Sequence, residues 1–170
     1  MMDAVTHQNA ALIDGFYRAF QRRDHVAMAA CYDPDAVFDD AVFSLRGWQV
    51  GAMWRMLCER GTDLRVEHSG VRADATQGSA HWDAWYTFSA TGRKVHNSID
   101  ADFELRDGRI LRHTDSFDLH RWASQALGLK GRLLGWTPFV QKAIRRSAAR
   151  SLDAFAREKG LGDAGTSEPA

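Results

Sequence analysis

Between Ser79 and Ser89 the side chains alternate. His81, Asp83, Trp85 and Thr87 fall on one side; Trp82, Ala84, Tyr86 and Phe88 fall on the other. A period of two is the pattern of an extended strand. A strand this long, with one aromatic face, restricts the fold more than anything else in the chain. That face is too apolar for water, so it predicts a covering layer of helices or a second subunit. Thr91-Gly92 turns the chain into a further extended segment, Lys94 to Arg106. Asp107-Gly108, a strong hairpin dipeptide, leads into Arg109 to Leu119. With Leu64 to Arg72 ahead of them, these segments read as an antiparallel meander.

The first half reads as helical. Thr6 is placed to cap a helix with Leu12, Phe16, Ala19 and Phe20 on one face, and Asp24 to start a short second helix ended by Pro34. Ala36 to Phe43 is a short strand interrupted by Asp39-Asp40. Beyond Arg46-Gly47 a third helix points Val50, Met53, Trp54 and Leu57 inward and stops at Gly61. After the meander, Leu119 to Leu127 is helical, and Thr137 to Glu158 is an amphipathic helix. Val140, Ile144, Leu152 and Phe155 run roughly in line on it, and its basic residues lie outside that stripe. Its basic face is either solvated or a surface for a membrane or a partner. The expected organisation is one domain over residues 1–159 and a disordered tail over 160–170.

The composition narrows the function classes. The formal net charge of +0 gives no electrostatic footprint for nucleic acid. No stretch is long and apolar enough to span a membrane, and the first residues do not read as a signal peptide. Cys31 and Cys58 have no metal spacing, and neither His68 nor the other candidate ligands form a metal constellation. A soluble cytoplasmic protein without metal or cofactor is the expectation. Six Trp and nine Phe are many for this length, and such residues line cores and ligand pockets.

Acid and imidazole groups are set into these greasy segments at Phe38-Asp39-Asp40, His81-Trp82-Asp83 and His113-Thr114-Asp115-Ser116-Phe117-Asp118. A carboxylate among aromatics is costly to bury unless it is paired. Asp83 and Asp115, bridged by His81, form an acid/base pair with separated proton affinities, or a buried network that fixes the sheet, or groups that face water at the mouth of the fold. Asp40 is either a base at a pocket wall or a turn-side carboxylate holding the start of the third helix. His113 shares the parity of Asp115 and either lines the pocket or bonds backbone. Asp118 reads as a helix N-cap.

The run Ala30-Cys31-Tyr32-Asp33-Pro34-Asp35-Ala36-Val37-Phe38-Asp39-Asp40, followed by Arg46-Gly47, Phe103 to Ile110 and Asp115-Ser116-Phe117-Asp118-Leu119, resembles the nuclear transport factor 2-like superfamily. The likeness covers roughly Ala10 to Gly131. It implies a cone-shaped α+β fold. A curved antiparallel sheet would carry three N-terminal helices on its concave face, with C-terminal helices added. The superfamily includes SnoaL-type polyketide cyclases, limonene-epoxide hydrolases and ketosteroid isomerases. The last-strand motif looks most like the first two.

The resemblance implies a site. Asp115 falls where the cyclases and hydrolases keep a catalytic aspartate, and Asp83 where the hydrolases keep a second. His81 stands where they place an arginine. Phe38 and Asp40 replace the tyrosine and asparagine that hold their attacking water. In the isomerase comparison Asp40 matches the proton-shuttling base and Tyr32 a pocket tyrosine. The oxyanion tyrosine falls on Phe16 and the protonated acid on Ala101, so steroid isomerisation is not expected. The expected function is acid/base chemistry on an apolar, oxygen-bearing small molecule: epoxide hydrolysis, or cyclisation or isomerisation of polyketide type. The alternative is a non-catalytic binding or interaction module. Asp115, Asp83, His81 and Asp40 are the catalytic candidates, with His81, Asp83 and Asp115 expected to converge on one cavity. Phe16, Phe20, Tyr32, Phe38, Trp54, Trp85 and His113 are expected to line it. A homodimer is expected through the sheet face bearing Trp82, Tyr86 and Phe88.

Overall fold

The computed structural model describes residues 3–162. Helix α1 (Ala4–Gln21) and short α2 (His25–Ala30) precede β1 (Tyr32–Asp39) and β2 (Ser44–Arg46). Helix α3 (Trp48–Arg60) leads to the long strands β3 (Arg65–Ala73), β4 (Gln77–Phe88), β5 (Arg93–Arg106) and β6 (Arg109–Ser116). Helices α4 (Leu119–Leu127), α5 (Leu129–Leu134) and α6 (Pro138–Glu158) follow. The six strands form one curved, open sheet in the order β2-β1-β6-β5-β4-β3. This is the α+β architecture that the resemblance implies.

Local chemistry explains most boundaries. Asp24 accepts from Ala27 N–H at the start of α2, and Asp118 accepts from Arg121 N–H at the start of α4. Asp107 and Gly108 both take positive φ, 51° and 72°, the geometry that lets a two-residue turn follow the twist of its strands. Helix α1 begins earlier than Thr6 predicts: its cap is Asp3, and Thr6 supplies the N–H that Asp3 accepts. Pro34 does not end a helix. It lies inside β1, where the pairing with β6 shifts between Tyr32 and Val37, an irregularity that tolerates a residue without an N–H. The sheet is also not wholly antiparallel, because β1 runs parallel to β6, with Phe38 opposite His113.

The aromatic face of β4 is covered by the chain's own helices. Trp82 is 6% exposed and packs on Phe20 of α1 and Trp54 of α3. The Trp122 indole of α4 donates to Tyr86 Oη at 2.7 Å, and its ring meets Phe88 edge-on. Trp82 is thus buried by the chain's own helices and Tyr86 and Phe88 are half-buried beside α4, so this face alone does not require the expected dimer. Helix α5 is not among the expected elements; its buried side is Gly131, and its leucines face out. The expected tail begins as the turn after α6; its residues 163–170 lie outside the described part.

Candidate active site

Strand parity builds the site. Asp115 and His113 lie two apart on β6, opposite Ala101 and Phe103 of β5. All four point inward, as do Ile99 and its partner Trp82. Tyr32 opens β1, and Trp54 descends from α3. These side chains form one continuous hydrogen-bonded chain inside the core. The Trp54 indole donates to Tyr32 Oη at 2.9 Å. Tyr32 Oη lies 2.7 Å from His113 Nδ1, and His113 Nε2 lies 2.8 Å from Asp115 Oδ1. The Trp82 indole donates to the same carboxylate oxygen at 3.3 Å.

Both indoles can only donate, so Tyr32 accepts from Trp54 and Asp115 accepts from Trp82. The His113 imidazole bridges the two, with Nδ1 toward Tyr32 and Nε2 toward Asp115. His113 is fully buried, and Asp115 is 5% exposed. The rings of Phe16, Phe38, Phe103, Trp54 and Tyr32 surround the imidazole at centroid distances of 4.4–6.1 Å. Burial pushes the Tyr32 phenol well above its ordinary range, and the charge of Asp115 adds to the shift. Tyr32, Phe16, Phe38, Trp54 and His113 thus gather beside Asp115, and Phe20 joins them through Trp54 and Trp82.

Asp40 holds the turn ahead of β2 rather than the start of α3. It follows β1, and one carboxylate oxygen accepts the N–H groups of Val42 and Phe43, each at 2.6 Å, which closes the turn into β2. Burial nevertheless pushes its pKa up to about 6, against the lowering effect of those two bonds. The charge of Asp115 raises it further, and His113 acts in the opposite sense. Asp40 thus sits within electrostatic reach of the buried pair.

Sequence reasoning missed Tyr17. It lies on the α1 face of Ile13, Phe16 and Phe20, fully buried, with its ring against His68, Trp82 and Phe103. Its hydroxyl has no hydrogen-bond partner among the described residues. Burial and then the charge of Asp115 push this phenol well above its ordinary range too. The signal was present in the helical spacing, but a tyrosine in an aromatic stripe reads as core.

His81 and Asp83 do not join Asp115. They have the opposite parity and lie on the outer face of the sheet, opposite Asp100 and Ser98. His81 Nδ1 is 2.7 Å from Asp100, and His81 Nε2 is 3.2 Å from Asp83. His96 Nε2 is 2.8 Å from the other Asp83 oxygen. The bond to Asp100 raises the pKa of His81. Burial opposes ionisation of Asp83, but hydrogen bonds from His96 and Ser98 outweigh it and hold the group low. The expected single cavity fails because Asp115 shares the parity of Ala101, whereas Asp83 pairs across from Ser98. Trp85 is likewise outside: it stacks on His96 at 4.6 Å under the Arg65 guanidinium, lining an open cleft of about 470 Å³. Among the described residues, no group of three or more His, Cys, Asp and Glu is arranged to hold a metal ion.

An open, curved sheet with helices in its hollow and a polar chain at the bottom defines a member of the nuclear transport factor 2-like superfamily. The SnoaL-like domain family matches residues 13–113, more than half of the chain, and the chain belongs to it. Solved structures agree on the fold. A candidate polyketide cyclase from Xanthomonas campestris pv. campestris is 23% identical, with 72% of this chain and 99% of that one covered at a TM-score of 0.59. An epoxide hydrolase from M. tuberculosis, of the LEH-like type, is 21% identical, with 76% and 98% covered at 0.59. A candidate SnoaL-like polyketide cyclase from Jannaschia sp. CCS1 is 14% identical, with 75% and 97% covered at 0.65. Each leaves about a quarter of this chain unmatched. No curated protein matches the sequence.

Proposed function

We propose that this chain is a small enzyme that carries out acid/base chemistry, without a bound cofactor, on an apolar, oxygen-bearing molecule held against the inner face of the sheet. The observation that carries this reading is the setting of Asp40, a partly buried carboxylate with a pKa near 6 beside a fully buried His113–Asp115 pair. A base works best when its pKa lies near the working pH. Asp40 takes the proton from a carbon acid or from an attacking water and returns it to the product oxygen or carbon. The Tyr17 hydroxyl is the donor for the oxygen on which charge develops; a buried donor aimed at such an oxygen is worth about 10²–10³ in rate. Asp115 acts on both groups through its charge, and through its bond to His113 it helps to place Tyr32. The likeness to a candidate polyketide cyclase and to an epoxide hydrolase supports cyclisation or isomerisation of polyketide type, and epoxide opening, as the reactions to assay.

A second reading rests on a specific feature. Asp115 is closed off by the Trp82 indole and the His113 imidazole, which suits a binding module whose polar chain only orients a ligand. The deciding experiment assays epoxides, lactones and enolisable polyketone analogues across pH. Turnover with kcat/KM rising through about pH 6 to a plateau supports the enzyme. Ligands that raise the melting temperature with no substrate turned over support the binding module.

A further inference from the structure

We propose that α5 and the exposed stripe of α6 form a binding surface for anionic lipid bilayers. Helix α5 is packed the wrong way round for a soluble protein. Its glycines are buried: a Cβ on Gly131 would collide with the Ala123 carbonyl of α4, and one on Gly135 would lie 2.8 Å from Ala123 Cβ. Its leucines face out, with Leu129 70%, Leu133 60% and Leu134 45% exposed. Trp136 at 65% and Phe139 at 84% continue the patch. Five of the eight large apolar side chains exposed among the described residues thus fall within residues 129–139. Scattered exposed apolar groups need no explanation, but a contiguous cluster marks an interaction site.

The charge around the patch selects the partner. From Leu119 to Leu152 the chain has seven Lys and Arg and no Asp or Glu, although its formal net charge is +0. On α6, Phe139, Arg146 and Arg150 recur at helical spacing on the side opposite Leu152 and Phe155, which are buried. An outward stripe of apolar anchors flanked by Arg and Lys is the composition that lies in the plane of a bilayer surface. The rings enter the headgroup boundary, and the long basic side chains reach the phosphates. A second copy of this chain would oppose the same positive charge to itself, whereas an anionic surface neutralises it. The element is also held rigidly. The Arg132 carbonyl is bonded by His120 Nε2 at 2.9 Å, and the Gln141 amide donates to the Gly135 carbonyl at 3.2 Å. Arg145 Nε donates to the Ala41 carbonyl at 2.8 Å, tying α6 to the loop that begins at Asp40. The proposal does not depend on the chemistry assigned to Asp40.

The test is flotation of the full chain with phosphatidylcholine vesicles, with and without about 30% phosphatidylglycerol, at low salt and at about 0.5 M NaCl. Binding is expected to the anionic vesicles only, and to be lost at high salt. Phe139→Glu and the double variant Arg146→Glu/Arg150→Glu should each weaken it by about tenfold or more, while Arg22→Glu, a reversal on an exposed residue away from the patch, leaves it within about twofold. All four side chains are exposed, so far-ultraviolet circular dichroism should confirm that every variant is folded. Failure of the folded parent to float with anionic vesicles overturns the proposal, as does equal binding by all variants. A concentration-dependent dimer that Phe139→Glu disperses, without vesicle binding, assigns the patch to a second copy instead.

Discussion

At the scale of single residues, the Asp40 carboxyl makes a signed prediction. Its pKa in the folded chain, about 6, lies above its ordinary value of 3.8. The folded state therefore holds the proton more tightly than the unfolded state, and the protonated group favours folding below about pH 4. As pH rises from about 4 to 6 the unfolded chain ionises first, stability falls, and above 6 the full penalty is present. Asparagine keeps the acceptor for Val42 and Phe43 but has no charge to desolvate. Asp40→Asn is thus expected to be more stable than the parent at pH 8 by on the order of 1–3 kcal/mol, with the gain vanishing near pH 4 in urea titrations. An equal gain at both pH values would show that burial does not govern this group. The buried pair gives a second prediction. His113→Leu leaves Asp115 with only the Trp82 indole and strands Tyr32, at an expected cost of about 3–5 kcal/mol. Removing both members of the pair in His113→Leu/Asp115→Leu should recover part of that loss, because a partnerless buried carboxylate costs more than an apolar pair. A double variant no more stable than the single one would argue that the pair is weakly coupled.

At the scale of elements, the sequence revealed the strands better than the ends of the helices. The two-residue alternation of β4, the Asp107-Gly108 turn and the Asp118 cap each have a local cause, so each was legible. Helix α5 was not, since its inward side is glycine and its outward side is leucine, the reverse of the usual amphipathic pattern. Pro34 misled because a proline in a strand is excluded only where the pairing is regular. The close approach of α5 to α4 depends on Gly131. Gly131→Ala should therefore destabilise the chain by about 1–3 kcal/mol as the helices part. Gly15→Ala, where an added Cβ meets nothing within 4 Å, should instead be neutral or mildly stabilising. Thermal denaturation of the two variants side by side checks the contrast. Equal melting temperatures would contradict the packing account of α5.

At the scale of the whole molecule, the site was half legible. The carboxylates and imidazoles were visible, and the parity of β6 correctly joined His113 to Asp115. Parity within one strand does not say which face of a neighbour it shares, because a single-residue change in register exchanges the faces. Parity together with the positions matched to the epoxide hydrolases joins His81 and Asp83 to Asp115 in the sequence, whereas the pairing of β4 with β5 sets them on the outer face. The fold thus carries two acid–imidazole clusters separated by the thickness of a sheet. The proposed chemistry lies on the inner side, at Asp40 beside the His113–Asp115 pair. The most direct test is kcat/KM of the parent, Asp40→Asn and Asp83→Asn on the same substrate from the epoxide, lactone and polyketone panel, with folding checked for each. The account predicts a loss of about 10²–10⁴-fold for Asp40→Asn and a change of about twofold or less for Asp83→Asn. Activity that survives Asp40→Asn and collapses in Asp83→Asn would place the reaction on the outer face and contradict it.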